Sequence, residues 1–274
     1  MKKNSNRGVK TNWLQRFAGK TERVLGIKFG NALLVLLLAS LAAYVFTQNV
    51  LFAITTFVLI IGVFLADFSF DKTWKQNLLE LVYALAFAVA AWFAIGFVLQ
   101  TDSPINVVTS CSMLPNLQRG DLVFIQGGSV NAPELPVSLD ELQSLKVHKT
   151  ICKSGEWDSA CTDSVIVVNE TVSRNLSNDI IVFEPKPFGP GLIIHRAFAK
   201  LTTPDGIFFL TKGDNNAVLD QEGGRFSIVS EKDVKGKVLF AIPYVGYLKL
   251  LLFLQFETPA GCDSVLQYPG EKGN

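Results

Sequence analysis

Apolar residues crowd into the first hundred positions of the chain, where they form three runs over residues 32–47, 50–66 and 78–99. A helix that crosses a bilayer needs about 20 mostly apolar residues, with about 17 as a lower limit. The third run meets this length, and the first two are marginal. Only Gln48 and Asn49 separate the first two runs, so a tight hairpin and one overlong helix both fit.

Charged residues predict the orientation of three transmembrane helices within residues 32–99. Residues 1–31 contain eight basic side chains, and the loop between the second and third runs carries Lys72 and Lys75. Basic residues flank membrane helices on the cytoplasmic side, so residues 1–31 are expected to be cytoplasmic and everything after Gln100 outside. A cleaved signal peptide is the alternative for the first run, and the long basic lead before it argues against this alternative.

After Gln100 the pattern changes to short runs rich in Val, Ile and Phe, separated by Gly, Pro, Asn and Asp. Such runs are typical of β-strands. Six strong ones begin at Asp121, Ser164, Asp179, Gly191, Gly206 and Lys235. Residues 100–274 are therefore predicted to form a mainly β extracytoplasmic domain. Residues 127–178 have the composition of a loop-rich insertion, with one short helix expected within 135–149.

The last apolar stretch, residues 238–256, is long enough to suggest a fourth membrane helix. Pro243, Gly246 and Lys249 interrupt it. A lysine near the centre of a membrane helix costs about 2.5 to 3.5 kcal/mol. We therefore expect a strand followed by a surface segment that touches the membrane.

Composition and cysteine positions narrow the class of protein. The 274 residues have room for one or two domains, and a net charge of +1 gives no argument for a nucleic-acid partner. Cys152 and Cys161 lie in the half expected outside, where disulfides persist, so a disulfide between them is predicted. A zinc site at Cys152 and Cys161 is the alternative. The spacing of these two cysteines, with only His148 nearby, lacks the compact ligand pattern of tetrahedral zinc sites.

The stretch TSCSMLPNLQRGD, residues 109–121, offers a candidate serine nucleophile. A serine hydroxyl attacks a carbonyl only if a base removes its proton, and neutral histidine is a usual base. Of the two histidines, His148 is flanked by lysines and is expected on the surface. His195 lies within the apolar segment GLIIHRAF, where a buried ring needs a hydrogen-bond partner.

Two aspartates are candidates for orienting such a histidine. Asp214 and Asp220 lie in FLTKGDNNAVLDQEG, residues 209–223, which has the composition of a tight turn after a strand. A carboxylate that meets an imidazole fixes its tautomer and stabilises the imidazolium formed during attack. The spacing of the two aspartates falls far short of a calcium-binding loop.

Together, these segments resemble type I signal peptidases. SCSMLP with RGD, then DIIVF, IIHRAF, LTKGDNNAVLD and DVKGKVLFAIPYVGYL follow the order and approximate spacing of that family over residues 103–248. The HR and KGDNN segments are similar to the archaeal and endoplasmic-reticulum branch, in which histidine stands where bacterial enzymes use lysine. The resemblance implies a membrane-anchored mixed protein, with N-terminal transmembrane helices and a mainly β catalytic domain of the signal peptidase and LexA-like type.

Carried over by position, the resemblance makes Ser112 the nucleophile and His195 the general base. Asp220 is favoured as the acid that orients His195, and Asp214 is the alternative or a supporting residue. The hydroxyl of Ser110 is expected to join the Ser112 N–H in an oxyanion hole.

The chain departs from the family pattern at two positions. Cys111 stands where glycine is usual and is interpreted as a small filler without a functional role. Leu219 stands where the family often has the first of two aspartates, which favours Asp220. Lys212 and Lys200 keep a Ser–Lys dyad open as an alternative mechanism, which would require a lowered lysine pKa.

The resemblance implies a membrane-bound serine endopeptidase that removes signal peptides from secreted precursors at the outer membrane face. Its expected partners are secretory preproteins, the lipid bilayer and the secretion translocon, without nucleic acid, and the mechanism needs neither metal nor cofactor. The expected location is the cell membrane, with several spans. A same-fold envelope protease with a different substrate or a self-cleavage role is the alternative, and a non-catalytic envelope protein is a third class.

Overall fold

A computed structural model describes residues 29–47, 49–67, 74–138, 140–141, 145–167, 170–186, 191–224 and 226–270. Residues 1–28, which carry the eight basic side chains, lie outside the described residues, as do Gln48 and Lys72. The chain divides into two compact units, Met1–Leu85 and Ala86–Asn274.

Three helices occur at the three apolar runs. Helix α1 covers Phe29–Thr47, α2 covers Val50–Asp67 and α3 covers Trp74–Leu99. Because α1 and α2 are separate helices that pack against each other, the first two runs do not form one overlong helix. Within the described ranges, only α3 is both long and apolar enough to cross a membrane, and α1 and α2 contain shorter apolar stretches, Asn31–Thr47 and Leu51–Val63.

Helices α1 and α2 pack with polar side chains between them. Ser40 and Thr56 are buried, and their hydroxyl oxygens lie 2.9 Å apart. Large apolar side chains on the outer faces, such as Leu36 and Phe57, are exposed. A helix pair in water normally buries its apolar side chains and exposes its polar ones, so this distribution is reversed.

The unit Ala86–Asn274 is mainly β. Its strands are β1 Ile105–Val107, β2 Leu122–Gln126, β3 Glu134–Pro136, β4 Lys146–Ser154, β5 Trp157–Val167, β6 Glu170–Ser173, β7 Ile180–Phe183, β8 Ile193–Thr203, β9 Gly206–Lys212, β10 Val229–Ser230, β11 Val234–Ile242 and β12 Leu266–Gln267. In the described part of the chain, one sheet has the order β1-β2-β11-β7-β8-β9-β10, with β3 parallel to β8. The smaller sheet has the order β12-β4-β5-β6. The six predicted strands are all present, and the mixed architecture of apolar helices and mainly β sheets is confirmed.

The expectation that residues 127–178 are rich in loops is wrong. This segment contains β4, β5 and β6, and β4 and β5 form an antiparallel hairpin with Ser154 opposite Trp157 at its tip. Five of the nine side chains of β4 are exposed and four of these are polar, so β4 has little of the Val and Ile enrichment that identifies a half-buried strand. The short helix expected within 135–149 falls partly outside the described residues, and β3 and β4 occupy its two ends.

Apolar clusters hold the sheets together and anchor the turn that carries the candidate serine. Side chains from both sheets form one cluster, Leu135, Val137, Val165, Val167, Val172, Phe198, Ala199, Leu201, Leu210 and Leu219. A second cluster contains Val108, Met113, Leu117, Val123, Ile125 and Val182. Burying a side chain of this size stabilises the fold by about 1.5 to 3 kcal/mol. Met113 and Leu117 therefore fix the turn on either side of Pro115.

The C-terminal apolar stretch forms the end of β11 and a short helix, α4, over Tyr247–Leu252, as a strand followed by a surface segment. The RGD turn holds this helix. The Arg119 guanidinium donates to the carbonyl oxygen of Gln255 at 2.6 Å. Gly120 has a φ of +90°, and a Cβ there would lie 2.2 Å from the Tyr247 ring. Only glycine fits this left-handed, close-packed position.

Candidate active site

Ser112 lies in the turn between β1 and β2, which we call the Ser112 turn, residues 109–117. Met113 on one side of it is buried in the core, whereas Ser112 itself is half-buried and faces a cavity. The apolar neighbour thus anchors the backbone while the hydroxyl remains accessible. The Ser112 Oγ lies 3.1 Å from the Ser110 Oγ.

His195 lies on β8, in register with Ile181 of β7. Only 7 % of its surface is exposed. The edge of its ring faces Phe183, with the ring centroids 6.5 Å apart. A buried imidazole needs polar partners on both nitrogens, and His195 has both: its Nε2 lies 3.0 Å from the Ser112 Oγ, and its Nδ1 lies 2.6 Å from the Asp220 Oδ2.

Asp220 lies eight residues beyond the end of β9 and is 4 % exposed. Its backbone N–H donates to the Thr211 carbonyl oxygen at 2.9 Å. The Thr211 hydroxyl donates to the same carboxylate oxygen that meets His195, at 2.7 Å. These bonds hold the carboxylate in place from a strand next to β8.

This geometry assigns the tautomer of the histidine. An ionised carboxylate only accepts hydrogen bonds, so with Asp220 ionised the His195 Nδ1–H donates to it. The Nε2 lone pair then accepts from the Ser112 hydroxyl. The series Ser112, His195, Asp220 is therefore arranged to move the hydroxyl proton to the imidazole.

Asp214, the other candidate acid, binds elsewhere. Its two carboxylate oxygens accept from Nε and a terminal nitrogen of Arg196, at 2.8 and 2.7 Å. The Asn116 amide donates to it at 2.8 Å. Both Arg196 and Asp214 are buried, so Asp214 joins the strand of His195 to the Ser112 turn and has a supporting position.

The alternative bases occupy positions away from the Ser112 hydroxyl. Lys212 is buried, donates to the Gly213 carbonyl oxygen at 3.3 Å and lies 5.4 Å from the centroid of the Tyr268 ring. Burial, and then the Arg174 guanidinium, lower the pKa of Lys212 to about 8. Lys200 lies 3.5 Å from Glu134 near the surface.

His148 is exposed on β4, opposite Ser164 of β5, as expected of a surface histidine.

The interpretation of Cys111 as a filler is wrong. Cys111 forms a disulfide with Cys262, 151 residues farther along the chain. The predicted disulfide between Cys152 and Cys161 is confirmed. The half of the chain expected outside has four cysteines. With Cys152 and Cys161 paired, Cys111 and Cys262 are the two that are left to pair with each other, and this even count is the signal that was missed.

The KGDNN segment packs directly on the Ser112 turn. A Cβ at Gly213 would lie 2.7 Å from the Ser112 carbonyl oxygen, so only glycine permits this approach. The Asn215 N–H donates to the same oxygen at 2.7 Å. Thr211 and Asn215 carry no signal of their own in the sequence, although both lie in the motif that contains the candidate acids.

A cavity of about 360 Å³ opens beside Ser112 and His195. Its lining combines polar groups with apolar side chains, and includes Val108, Met113, Leu192, Ile194, Asn216 and Phe226. In the ranges that the structure describes, no three His, Cys, Asp or Glu side chains converge as a metal site requires. A cavity of this volume lies within the range of ligand-binding clefts.

A serine, a histidine and an aspartate in one hydrogen-bonded series beside an open cavity are typical of serine hydrolases. Comparison with known proteins identifies the family of this chain. The "Signal peptidase complex catalytic subunit SEC11" of Arthroderma otae is 32 % identical over 182 residues, which cover 64 % of this chain and 80 % of the relative. The protein of the same name from Clavispora lusitaniae is 31 % identical over 180 residues, which cover 64 % and 81 %.

An uncharacterised protein of Methanocaldococcus jannaschii is 29 % identical over 180 residues, which cover 55 % of this chain and 84 % of the relative. No family model matches the chain. The chain belongs to the type I signal peptidase family, in its archaeal and endoplasmic-reticulum branch, and is a hydrolase.

Proposed function

We propose that this chain is a membrane-bound serine endopeptidase that removes signal peptides from secretory precursors. The observation that carries the proposal is the hydrogen-bonded series of Ser112, His195 and Asp220 beside a cavity, in a member of this family. Ser112 is the nucleophile, His195 the general base and Asp220 the acid that orients the base.

The reaction begins when His195 Nε2 takes the proton of the Ser112 hydroxyl as its oxygen attacks the scissile carbonyl. Asp220 holds the imidazole and stabilises the imidazolium that forms. The imidazolium then gives its proton to the leaving amine, which leaves an acyl-enzyme on Ser112. Water, activated by the same histidine, hydrolyses the acyl-enzyme and regenerates the hydroxyl.

The negative charge on the attacked carbonyl oxygen needs donors in place before the reaction. The Ser112 N–H and the Ser110 hydroxyl are the two donors of this oxyanion hole. The 3.1 Å separation of the Ser110 and Ser112 hydroxyl oxygens supports this assignment. Removing one such donor from a serine protease lowers kcat by about 10² to 10³.

The substrate lies extended in the cavity, and its backbone pairs with the strand edges near Val108 and Ile194. Small side chains at the first and third positions before the cut enter the cavity, and apolar groups such as Phe226 limit their size. The translocon is the expected source of such precursors.

Helices α1, α2 and α3 anchor the enzyme as three membrane spans. The buried contact of Ser40 with Thr56 and the exposed apolar surface of α1 and α2 support insertion of that pair, since in lipid apolar side chains face outward and polar groups bond between helices. The length and composition of α3 support a span on their own.

The catalytic unit lies outside the cytoplasm, at the membrane face. The two disulfides support an oxidising compartment. Exposed apolar side chains cluster in sequence on β11 and around α4, and they support contact with lipid: Leu239, Phe240, Ile242, Leu248, Leu252, Phe253 and Leu254.

The catalytic assignment is tested by cleavage of a secretory precursor with the detergent-solubilised full chain. Ser112→Ala and His195→Ala should each lower kcat by on the order of 10⁶, and Asp220→Asn by about 10⁴. Lys212→Met, the matched control for the dyad, should retain activity. Cleavage by Ser112→Ala would overturn the proposal, and loss in Lys212→Met with retention in His195→Ala would establish the dyad instead.

Two further assays separate the alternatives of substrate and location. A precursor whose small residues before the cut are replaced by large ones should resist cleavage, whereas cleavage of the enzyme itself in place of the precursor would favour a self-cleavage role. Protease added to sealed right-side-out vesicles should digest the part of the unit Ala86–Asn274 that follows the end of α3 at Leu99. Protection of this part would contradict the extracytoplasmic location.

A further inference from the structure

A segment near the C-terminus, residues 261–266, is joined to the Ser112 turn by a covalent bond and by one side chain. The covalent bond is the disulfide between Cys111 and Cys262. The side chain is that of Asn215, which lies between the two segments. We call residues 261–266 the C-terminal segment.

Asn215 bonds to the Ser112 turn through its backbone and its side chain. Its backbone N–H donates to the Ser112 carbonyl oxygen at 2.7 Å, and its Nδ2 donates to the Cys111 carbonyl oxygen at 3.1 Å. The carbonyl oxygens on both sides of the Ser112 Cα are therefore held by one residue.

The same amide group bonds to the C-terminal segment. Its Nδ2 lies 3.0 Å from the carbonyl oxygens of both Gly261 and Ser264, and its Oδ1 accepts from the Leu266 N–H at 2.8 Å. The orientation of the Asn215 amide is thus set by the segment that the disulfide joins to Cys111.

The C-terminal segment is itself anchored to the smaller sheet. Leu266 begins β12, which pairs with β4, and the hydroxyl oxygens of Ser264 and Ser154 lie 2.7 Å apart. Leu266 is also buried in an apolar cluster with Tyr268. The segment therefore offers a fixed point against which the Ser112 turn is held.

The geometry of the peptide bond connects these contacts to catalysis. The Cys111 carbonyl and the Ser112 N–H belong to one planar trans peptide unit, so they point in opposite directions. A hydrogen bond that fixes the Cys111 oxygen therefore fixes the direction of the Ser112 N–H. That N–H is the backbone donor of the proposed oxyanion hole, for which direction decides the stabilisation of the transition state.

We propose that Asn215 and the C-terminal segment, linked to Cys111 by the disulfide, are positioning elements that aim the Ser112 N–H at the developing oxyanion. This inference rests on the proposed function of Ser112. Asn215 touches neither substrate nor reacting atoms and acts through the peptide unit before Ser112. The disulfide keeps the segment beside the turn during turnover.

The test compares variants of the detergent-solubilised full chain, at a temperature well below the measured Tm of each. The substrate is a precursor peptide, and the probe is the corresponding peptide aldehyde, whose adduct with Ser112 carries an oxygen in the oxyanion hole. Asn215→Ala should lower kcat by about 10- to 100-fold with KM changed less than about twofold, since the donor is misaimed and not removed. Inhibition by the aldehyde should weaken by the same factor as kcat.

Two further variants sharpen the test. Asn215→Asp keeps the shape and the acceptor for Leu266 but replaces the donating amide by an acceptor, so kcat should fall at least as far as in Asn215→Ala. The double variant Cys111→Ser, Cys262→Ser should lower kcat and aldehyde affinity together, by about 3- to 10-fold, since the hydrogen bonds of Asn215 remain.

The other disulfide is the matched control. Replacing Cys152 and Cys161 by serine removes the same number of sulfurs. That disulfide packs in the cluster of Leu266 but has no covalent link to the Ser112 turn, and its hairpin is also held by strand pairing, so kcat should fall clearly less than in Cys111→Ser, Cys262→Ser. Unchanged kcat in Asn215→Ala, a fall in kcat without loss of aldehyde affinity, or equal effects of the two disulfide pairs would each overturn the inference. Failure of the proposed function would be seen separately, as cleavage by Ser112→Ala.

Discussion

The buried ion pair of Arg196 and Asp214 separates the structural from the catalytic aspartate. The pair is bidentate, and the two side chains are 9 % and 4 % exposed. Another terminal nitrogen of Arg196 donates to the Leu176 carbonyl oxygen at 2.7 Å. Asp214→Asn therefore leaves the buried guanidinium of Arg196 with one acceptor fewer and without its counter-charge.

The magnitude follows from this burial. Removing one partner of a buried ion pair costs about 3 to 5 kcal/mol, because a buried charge is left without compensation. An asparagine retains one acceptor for Arg196, so the lower end, about 3 kcal/mol, is expected for Asp214→Asn. Asp220→Asn removes hydrogen-bond acceptors of His195 and Thr211 and not the counter-charge of a guanidinium, so it should cost about 1 kcal/mol.

The catalytic effects are expected in the opposite order. Asp220→Asn should lower kcat by about 10⁴, since its amide N–H favours the wrong tautomer of His195. Asp214→Asn should retain most of its kcat per folded molecule. Pulse proteolysis in urea measures the folded fraction, and initial rates of precursor cleavage on the same samples give kcat.

A double-mutant cycle isolates the pair itself. The double variant Arg196→Gln, Asp214→Asn has no unpaired charge. Its loss in the free energy of unfolding should therefore be about 2 kcal/mol smaller than the sum of the losses of the two single variants. Additive losses, or a fall in kcat of about 10⁴ in Asp214→Asn with full activity in Asp220→Asn, would refute the assignment.

Two further predictions concern stability. Replacing Cys111 and Cys262 by serine should lower the free energy of unfolding by about 5 kcal/mol, whereas replacing Cys152 and Cys161 should lower it by about 2.5 kcal/mol. The difference arises because the first disulfide closes a loop of 151 residues and the second a loop of 9. Equal losses in non-reducing urea titrations would contradict this prediction. The pKa of Lys212 is about 8 in the folded state, against an ordinary value of 10.5. Between pH 8 and 10.5 the unfolded chain therefore binds more protons than the folded chain, so the free energy of unfolding should rise with pH across that window. Lys212→Met should abolish this rise and stabilise the fold at pH 7 by up to about 3 kcal/mol, and unfolding curves from pH 7 to 11 measure both.

The parts of the fold that the sequence predicted are those in which apolar periodicity is strong. The three apolar runs correspond to α1, α2 and α3, and each of the six runs rich in Val, Ile and Phe overlaps an observed strand. The hairpin of β4 and β5 was missed because β4 is mostly exposed, so its strand conformation depends on pairing with β5 and not on its own composition.

The candidate site was predictable residue by residue only where a motif carried it. Ser112, His195 and Asp220 lie within hydrogen-bonding distance in the order expected. The choice between Asp214 and Asp220 depends on which way each side chain points from the turn after β9, and sequence spacing does not encode that direction. Arg196, adjacent to His195, binds Asp214 and leaves Asp220 for the histidine.

The departure at Cys111 has a physical reason that becomes visible only with Cys262. The non-glycine residues of the described chain with positive φ are Gln100, Tyr244 and Leu254, so Cys111 has a backbone conformation that any residue adopts. A side chain is therefore tolerated at position 111, and its Cβ faces the C-terminal segment, where Cys262 meets it. Because the two cysteines are far apart in sequence, neither local pattern nor spacing identifies the pair. A residue that differs from the family pattern beside the candidate nucleophile is thus half of a disulfide, and under the positioning role proposed above its effect on catalysis depends on the segment to which it is bonded.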